Sequence, residues 1–134
     1  MSLSGEKNLR ALLRSMRPAL LEGTYAYVSV PKDQPIPARL SPVMSFREPE
    51  GWSLLLEQKE AVTSGLVATY LCRGISLNVH SSLYAVGFLA VIAERLAKAT
   101  ISINIASAYY RDYIFVPMDR AEDALQLLRK LAQE

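Results

Sequence analysis

The feature that most constrains this chain is the repeated change of hydrophobic period along its second half. Residues 75–79 alternate as a strand, and residues 83–99 then read as a long helix with Ser82 as its N-cap. Residues 101–109 alternate again, with Ile101, Ile103 and Ile105 on one face, and residues 113–116 form the next strand after the bend Tyr110, Arg111, Asp112. A last helix starts at Asp119, with Glu122 three residues on in the manner of a capping box. Its apolar face is Ala121, Ala124, Leu125, Leu128, Leu131 and Ala132. The order β-α-β-β-α is most of a ferredoxin-like unit, an α+β architecture with an antiparallel sheet and helices packed on one face. The fourth strand is missing, because Leu131 to Glu134 leave no room for one. A strand of the first half must complete the sheet, and the Tyr- and Val-rich residues 24–30 are the candidate.

The first half supplies the remaining elements. Residues 5–16 read as a helix with Ser4 as N-cap, apolar at Leu9, Leu12, Leu13 and Met16. Lys7, Arg10, Arg14 and Arg17 fall on one stripe of it, which reads as a solvated face. Pro31, Pro35, Pro37 and Pro42 forbid a helix after the strand and predict an extended loop. Residues 43–47 and 52–57 flank Glu48-Pro49-Glu50-Gly51 as a hairpin, residues 58–64 form a short helix ended by Gly65, and residues 66–71 lead towards another strand. Residues 83–93 are apolar nearly all round, which predicts that the long helix is covered on more than its sheet side, by the other half or by a second chain.

Composition narrows the function classes. The chain is 51% hydrophobic and 21% charged over 134 residues, a globular balance rather than a disordered one. A single Cys72 allows no internal disulfide and points to a reducing compartment. No apolar run reaches the roughly 18 residues of a membrane span, and the polar start carries no signal-peptide core, so the reading is cytoplasmic with no membrane partner. A net charge of +2 is too small to be a nucleic-acid footprint. The run Arg111 to Met118 copies the basic, aromatic and aliphatic places of an RNA-binding strand, but it fails the small-residue places. Ser76 also stands where that fold's first strand needs a stacking aromatic, so no nucleic-acid partner is expected.

Catalysis finds little support. The only histidine, His80, has no acidic orienter at motif spacing, no G-x-S-x-G elbow is present, and one His with one Cys does not make a metal site. Acylphosphatases share the topology but need an Arg in the first strand-to-helix loop, and residues 79–88 contain none. No enzyme activity, cofactor or metal is therefore expected. What remains is an anion-ready turn, where His80, Ser81 and Ser82 precede a helix N-terminus whose N–H groups lack partners. Gly87, placed inside the predicted helix, costs about 1 kcal/mol against Ala and calls for a close approach by a ligand or another backbone.

The stretches Val79-His80-Ser81-Ser82-Leu83, Ala85-Val86-Gly87, Ile101-Ser102-Ile103-Asn104 and Tyr109 to Val116 resemble the small bacterial ACT-domain proteins of unknown function, relatives of the ACT pairs in aspartate kinases and in cytosolic arginine sensors. Ser45-Phe46-Arg47-Glu48-Pro49-Glu50-Gly51 is similar to that family's N-terminal segment, so the resemblance covers nearly the whole chain. It implies two ACT-like units, a degenerate one over residues 1–70 and an ACT domain over residues 71–134, in a homodimer that acts on another, unidentified protein. It also implies a regulatory module that binds an amino acid or similar small carboxylate, or else an assembly module with a vestigial site. By the same resemblance Val79, His80, Ser81, Ser82, Val86 and Gly87 would meet the ligand carboxylate. Tyr109, Tyr110 and Asp112 would close the other side, with Asp112 accepting from an ammonium or guanidinium, and Ser102 and Ile103 would contribute from the partner unit. The chain departs from the family in Thr100, where Gly is common, and in Arg111 and Tyr113, where His is common. Arg111 is then placed to neutralise Asp112 internally.

Overall fold

The computed structural model describes residues 5–134, so the expected cap Ser4 lies outside the described residues. Packing divides the chain into two compact units, the first running to Leu21 and resuming over Arg73–Glu134, the second being Glu22–Cys72. Each is an antiparallel sheet, the first with three α-helices and the second with one, on the expected ferredoxin-like plan.

The first unit contains α1 (Leu9–Ser15), β1 (Ala19–Leu20), the end of β5 (Thr69–Ser76), α3 (Phe88–Lys98), β6 (Asn104–Ser107), β7 (Asp112–Pro117) and α4 (Ala121–Ala132). Its strand order is β1-β5-β7-β6. The strand that completes this sheet is β1, whose Ala19 and Leu20 pair with Ser76 and Ile75. Residues 24–30 were the expected candidate, and they do pair with β5, but through its earlier residues and inside the second unit. One continuous core holds the helices on the sheet: Leu12 and Met16 of α1, Ile75 and Leu77, Phe88, Ile92 and Leu96 of α3, Ile114 and Val116, and the expected face of α4.

The second unit contains β2 (Tyr25–Pro31), β3 (Met44–Glu48), β4 (Gly51–Glu57), α2 (Gln58–Thr63) and the start of β5, in the order β3-β4-β2-β5. This is the same strand plan with its first helix absent. The proline-rich loop stands in that helix's place in the chain, and its Ile36 and Leu40 pack on a core of Val28, Val30, Leu54, Leu56 and Ala61. Cys72 is free and fully buried here, its thiol donating to the Tyr25 carbonyl at 3.5 Å. Burial pushes that thiol up to about 11.

Four boundaries differ from the sequence expectation, each for a local reason. Helix α1 begins at Leu9 because Asn8 caps it, its side chain accepting from the Ala11 N–H at 3.0 Å. Helix α3 begins at Phe88 rather than residue 83, because Gly87 takes a left-handed φ of +93° that no right-handed helix contains. Strand β6 begins only at Asn104, because Thr100 and Ile101 are still engaged in ending α3: their N–H groups bond Ala97 and Leu96 oxygens, at 2.9 and 3.0 Å. Helix α4 follows a 3-10 turn, Met118–Arg120, and carries no side-chain cap, so the Asp119–Glu122 capping box does not form. No helix among the described residues is long and apolar enough to cross a membrane.

Candidate functional site

The loop between β5 and α3 is fixed before it reaches the helix. The Glu6 N–H donates to the His80 carbonyl at 2.8 Å and the Ser82 N–H to the Glu6 carbonyl at 2.9 Å, a short parallel bridge beside Ser81. Gly5 makes this approach feasible, since a Cβ there would stand 2.6 Å from the Ser82 nitrogen. Beyond the bridge, Ser82 holds a tight turn: its Oγ accepts from the Tyr84 N–H at 3.1 Å and its carbonyl from the Ala85 N–H at 2.9 Å. Ser82 thus caps this turn and not α3. Gly87 then redirects the chain into the helix. A Cβ on it would meet only Leu9 Cδ2, at 3.5 Å, so the glycine answers the backbone angle rather than the close approach expected.

A cleft of about 160 Å3 opens between this loop, the first turn of α3 and the start of β7. Its polar groups are Ser81, Ser82, Ser107 and Asp112, and its other wall is Gly87 followed by Phe88, Leu89 and Ala90. Asp112 is only 7% exposed and Ser81 6%, and the Ser81 Oγ donates to Asp112 Oδ2 at 3.0 Å. Arg111 is exposed and forms no ion pair with Asp112, so the internal neutralisation expected of it is absent. The cleft therefore has a polar asymmetry. One side is a carboxylate, and the other is the start of an eleven-residue helix, where N–H groups and the helix dipole favour an anion.

The structure brings Ser81, Ser82, Gly87 and Asp112 together at this cleft. Val79 is buried in the core and does not line the cleft. His80 packs on Tyr110 with ring centroids 5.2 Å apart, and Tyr110 on Tyr109 at 4.9 Å. Those tyrosines are more than half exposed, as is Val86 at 83%, and neither they nor His80 line the cleft. Ser102 is exposed and Ile103 is partly buried against the core, both away from it. Sequence reasoning missed Ser107 and the residues 88–90. A helix expected from residue 83 hides the true first turn at Phe88, and Gly87 is the sequence signal that places it.

Comparison with known proteins agrees with this architecture. Two family models, each described as an ACT domain, match residues 4–73 and 68–130. A Vibrio cholerae protein of unknown function, described as a possible transport protein, is 42% identical, with a TM-score of 0.80, over 96% of this chain and 99% of that one. An Agrobacterium tumefaciens protein has a TM-score of 0.74 at 16% identity, covering 87% of this chain and 89% of its own. The ligand-free regulatory subunit of aspartate kinase from Thermus thermophilus shares the fold at 17% identity, with a TM-score of 0.58 over 86% and 97% of the two chains. No curated protein matches the chain at a significant level. The two family models together span nearly the whole sequence, and the chain belongs to the ACT-domain family.

Proposed function

We propose that this chain is a regulatory module without catalytic activity that binds a small amino acid in the Ser81–Asp112 cleft, as a homodimer in the cytoplasm. The observation that carries the reading is the polar asymmetry of the cleft. The Asp112 carboxylate faces the first turn of α3 across a space of about 160 Å3, well below the roughly 300–1,000 Å3 of sites for drug-sized ligands. An amino acid matches both sides, its carboxylate towards the helix start and its ammonium towards Asp112. The free, buried Cys72 suits a reducing compartment. Leu83, Tyr84, Val86, Tyr109 and Tyr110 are exposed apolar or aromatic side chains flanking the loop, and a second copy would cover them. By sequence, residues 1–70 are then a degenerate ACT-like unit and residues 71–134 an ACT domain.

A second reading has its own support. Ser81 already satisfies one oxygen of Asp112, as it would in an assembly module whose ligand site is vestigial. Thermal unfolding against each of the twenty amino acids separates the two. A ligand at ten times its dissociation constant stabilises by about 1.4 kcal/mol, a shift of several degrees. We expect one or two amino acids to stand out, and Asp112→Asn, which still accepts from Ser81, to weaken them by about tenfold or more. Flat curves throughout favour the assembly reading, and a shift unchanged in Asp112→Asn moves the ligand elsewhere.

A further inference from the structure

The basic stripe of α1 borders more than solvent. Leu12 and Met16 are fully buried, but Leu9 and Leu13 are only half-buried, and with Val91 of α3 and Leu131 of α4 they line a cleft of about 680 Å3. Arg10, Arg14 and Arg95 rim it. The one acid present, Glu134, is already engaged by Arg95 through two bonds of 2.6 and 2.8 Å. At Arg14 this cleft adjoins a second, of about 470 Å3, lined by Met16, Pro18, Ala132 and two more arginines, Arg17 and Arg129. The Arg17 guanidinium is held in place by the Arg14 and Met16 carbonyls at 2.9 and 2.8 Å. Among the described residues, none of Arg10, Arg14, Arg17 and Arg129 has a carboxylate within 4.0 Å.

We propose that this face of α1, α3 and α4 docks an acidic amphipathic helix of a partner protein. Four cations without acidic partners are concentrated here in a chain whose net charge is only +2, so the field is local and selects an occupant with several negative charges. Together the two clefts exceed the usual range of a small-molecule site, and a single carboxylate would leave most of the arginines unmatched. A helix presents apolar anchors every three to four residues for the Leu9, Leu13, Val91 and Leu131 floor, with Glu or Asp between them to meet arginines spaced along α1 at a similar interval. A nucleic-acid backbone would use the arginines and leave the leucine floor empty. The face is separate from the amino-acid cleft, and α1 reaches it directly from the Glu6 bridge, with Leu9 lying against Gly87.

Selection from a displayed library of random peptides about 16 residues long, some four turns of helix, tests the assignment without presuming the partner. The full chain is the bait. Enriched peptides are then synthesised and titrated, by fluorescence anisotropy, against wild type and Arg10→Glu/Arg14→Glu. We expect sequences with Glu or Asp interleaved among Leu, Ile, Phe or Met at helical spacing, weakened about tenfold or more by the charge reversal. Both arginines are exposed, so the variant should unfold at nearly the wild-type temperature; if it does not fold, Arg10→Gln/Arg14→Gln carries the same comparison. No enrichment, enrichment without acidic residues, or affinity indifferent to the substitutions overturns the proposal. So does a DNA duplex that binds more tightly than the peptides at about 150 mM salt, the condition at which surface attraction is screened.

Discussion

Thr100 shows how one residue can carry a cost that the surrounding element conceals. It occupies the position just past the end of α3 with a φ of +59°, and its N–H and that of Ile101 close the helix on the Ala97 and Leu96 carbonyls. Glycine is the usual residue there, because a side chain in the left-handed region costs about 1–2 kcal/mol and a β-branched one is crowded further. The Gly that the family resemblance leads one to expect at this position thus has a backbone reason. Arg120 donates to the Ala99 and Thr100 carbonyls, at 3.2 and 3.4 Å, and helps hold the strained turn. Thr100→Gly should therefore stabilise the chain by about 1 kcal/mol in urea unfolding, net of the greater freedom glycine gives the unfolded state. A destabilised variant would show that the threonine side chain contributes more than its backbone costs.

At the scale of elements, what the sequence made legible were period and punctuation. The apolar face of α4, the hairpin around Pro49 and Glu50, and the proline-rich loop all follow from local chemistry, and local chemistry prevails there. Where tertiary pairing competes, local signals no longer decide the structure. Ala19 and Leu20 are too short a run to announce a strand, yet β1 completes the sheet because Ile75 and Ser76 offer it an open edge. Ser81 and Asp112 lie 31 residues apart, and only the pairing of β5 with β7 brings them together, so their hydrogen bond had no signature in sequence spacing. Strand β5 also carries a titration of its own. Cys72 ionises near 9.0 when unperturbed but only near 11 when buried, so between those values the unfolded chain has released a proton that the folded chain retains. Stability must then fall as pH rises from about 9, by at most about 1.4 kcal/mol per pH unit for this group. Tyr27, raised by its own burial and then by Cys72 and Tyr70, adds a loss of the same sign at higher pH. Urea unfolding between about pH 8 and about pH 10.5 should show a shallower alkaline decline for Cys72→Ala than for wild type. Parallel declines would assign the alkaline loss to other groups.

For the molecule as a whole, assembly is the property to which the proposed ligand site would be coupled. Val86, Tyr84 and Tyr110 are 83%, 66% and 58% exposed, a density of large apolar and aromatic surface around one loop that a lone chain leaves in water. The helix predicted to need a second covering layer is not itself the exposed feature: Phe88, Ile92 and Leu96 of α3 are buried within one chain, while Tyr84 and Val86 belong to the turn before it and Tyr110 to the bend before β7. If that turn is where two copies meet, covering it tightens the loop that bears Ser81 and Gly87, and a ligand bound there favours the dimer by the same free energy with which the dimer favours the ligand. Sedimentation at about 10 μM should then give twice the chain mass, and the unfolding temperature should rise with protein concentration. Val86→Glu and Tyr110→Glu together should give a monomer that still folds, because neither side chain is buried. A wild-type chain that stays monomeric at about 100 μM would remove the dimer while leaving the cleft of Ser81 and Asp112 to be tested on its own, since all of its lining comes from a single chain.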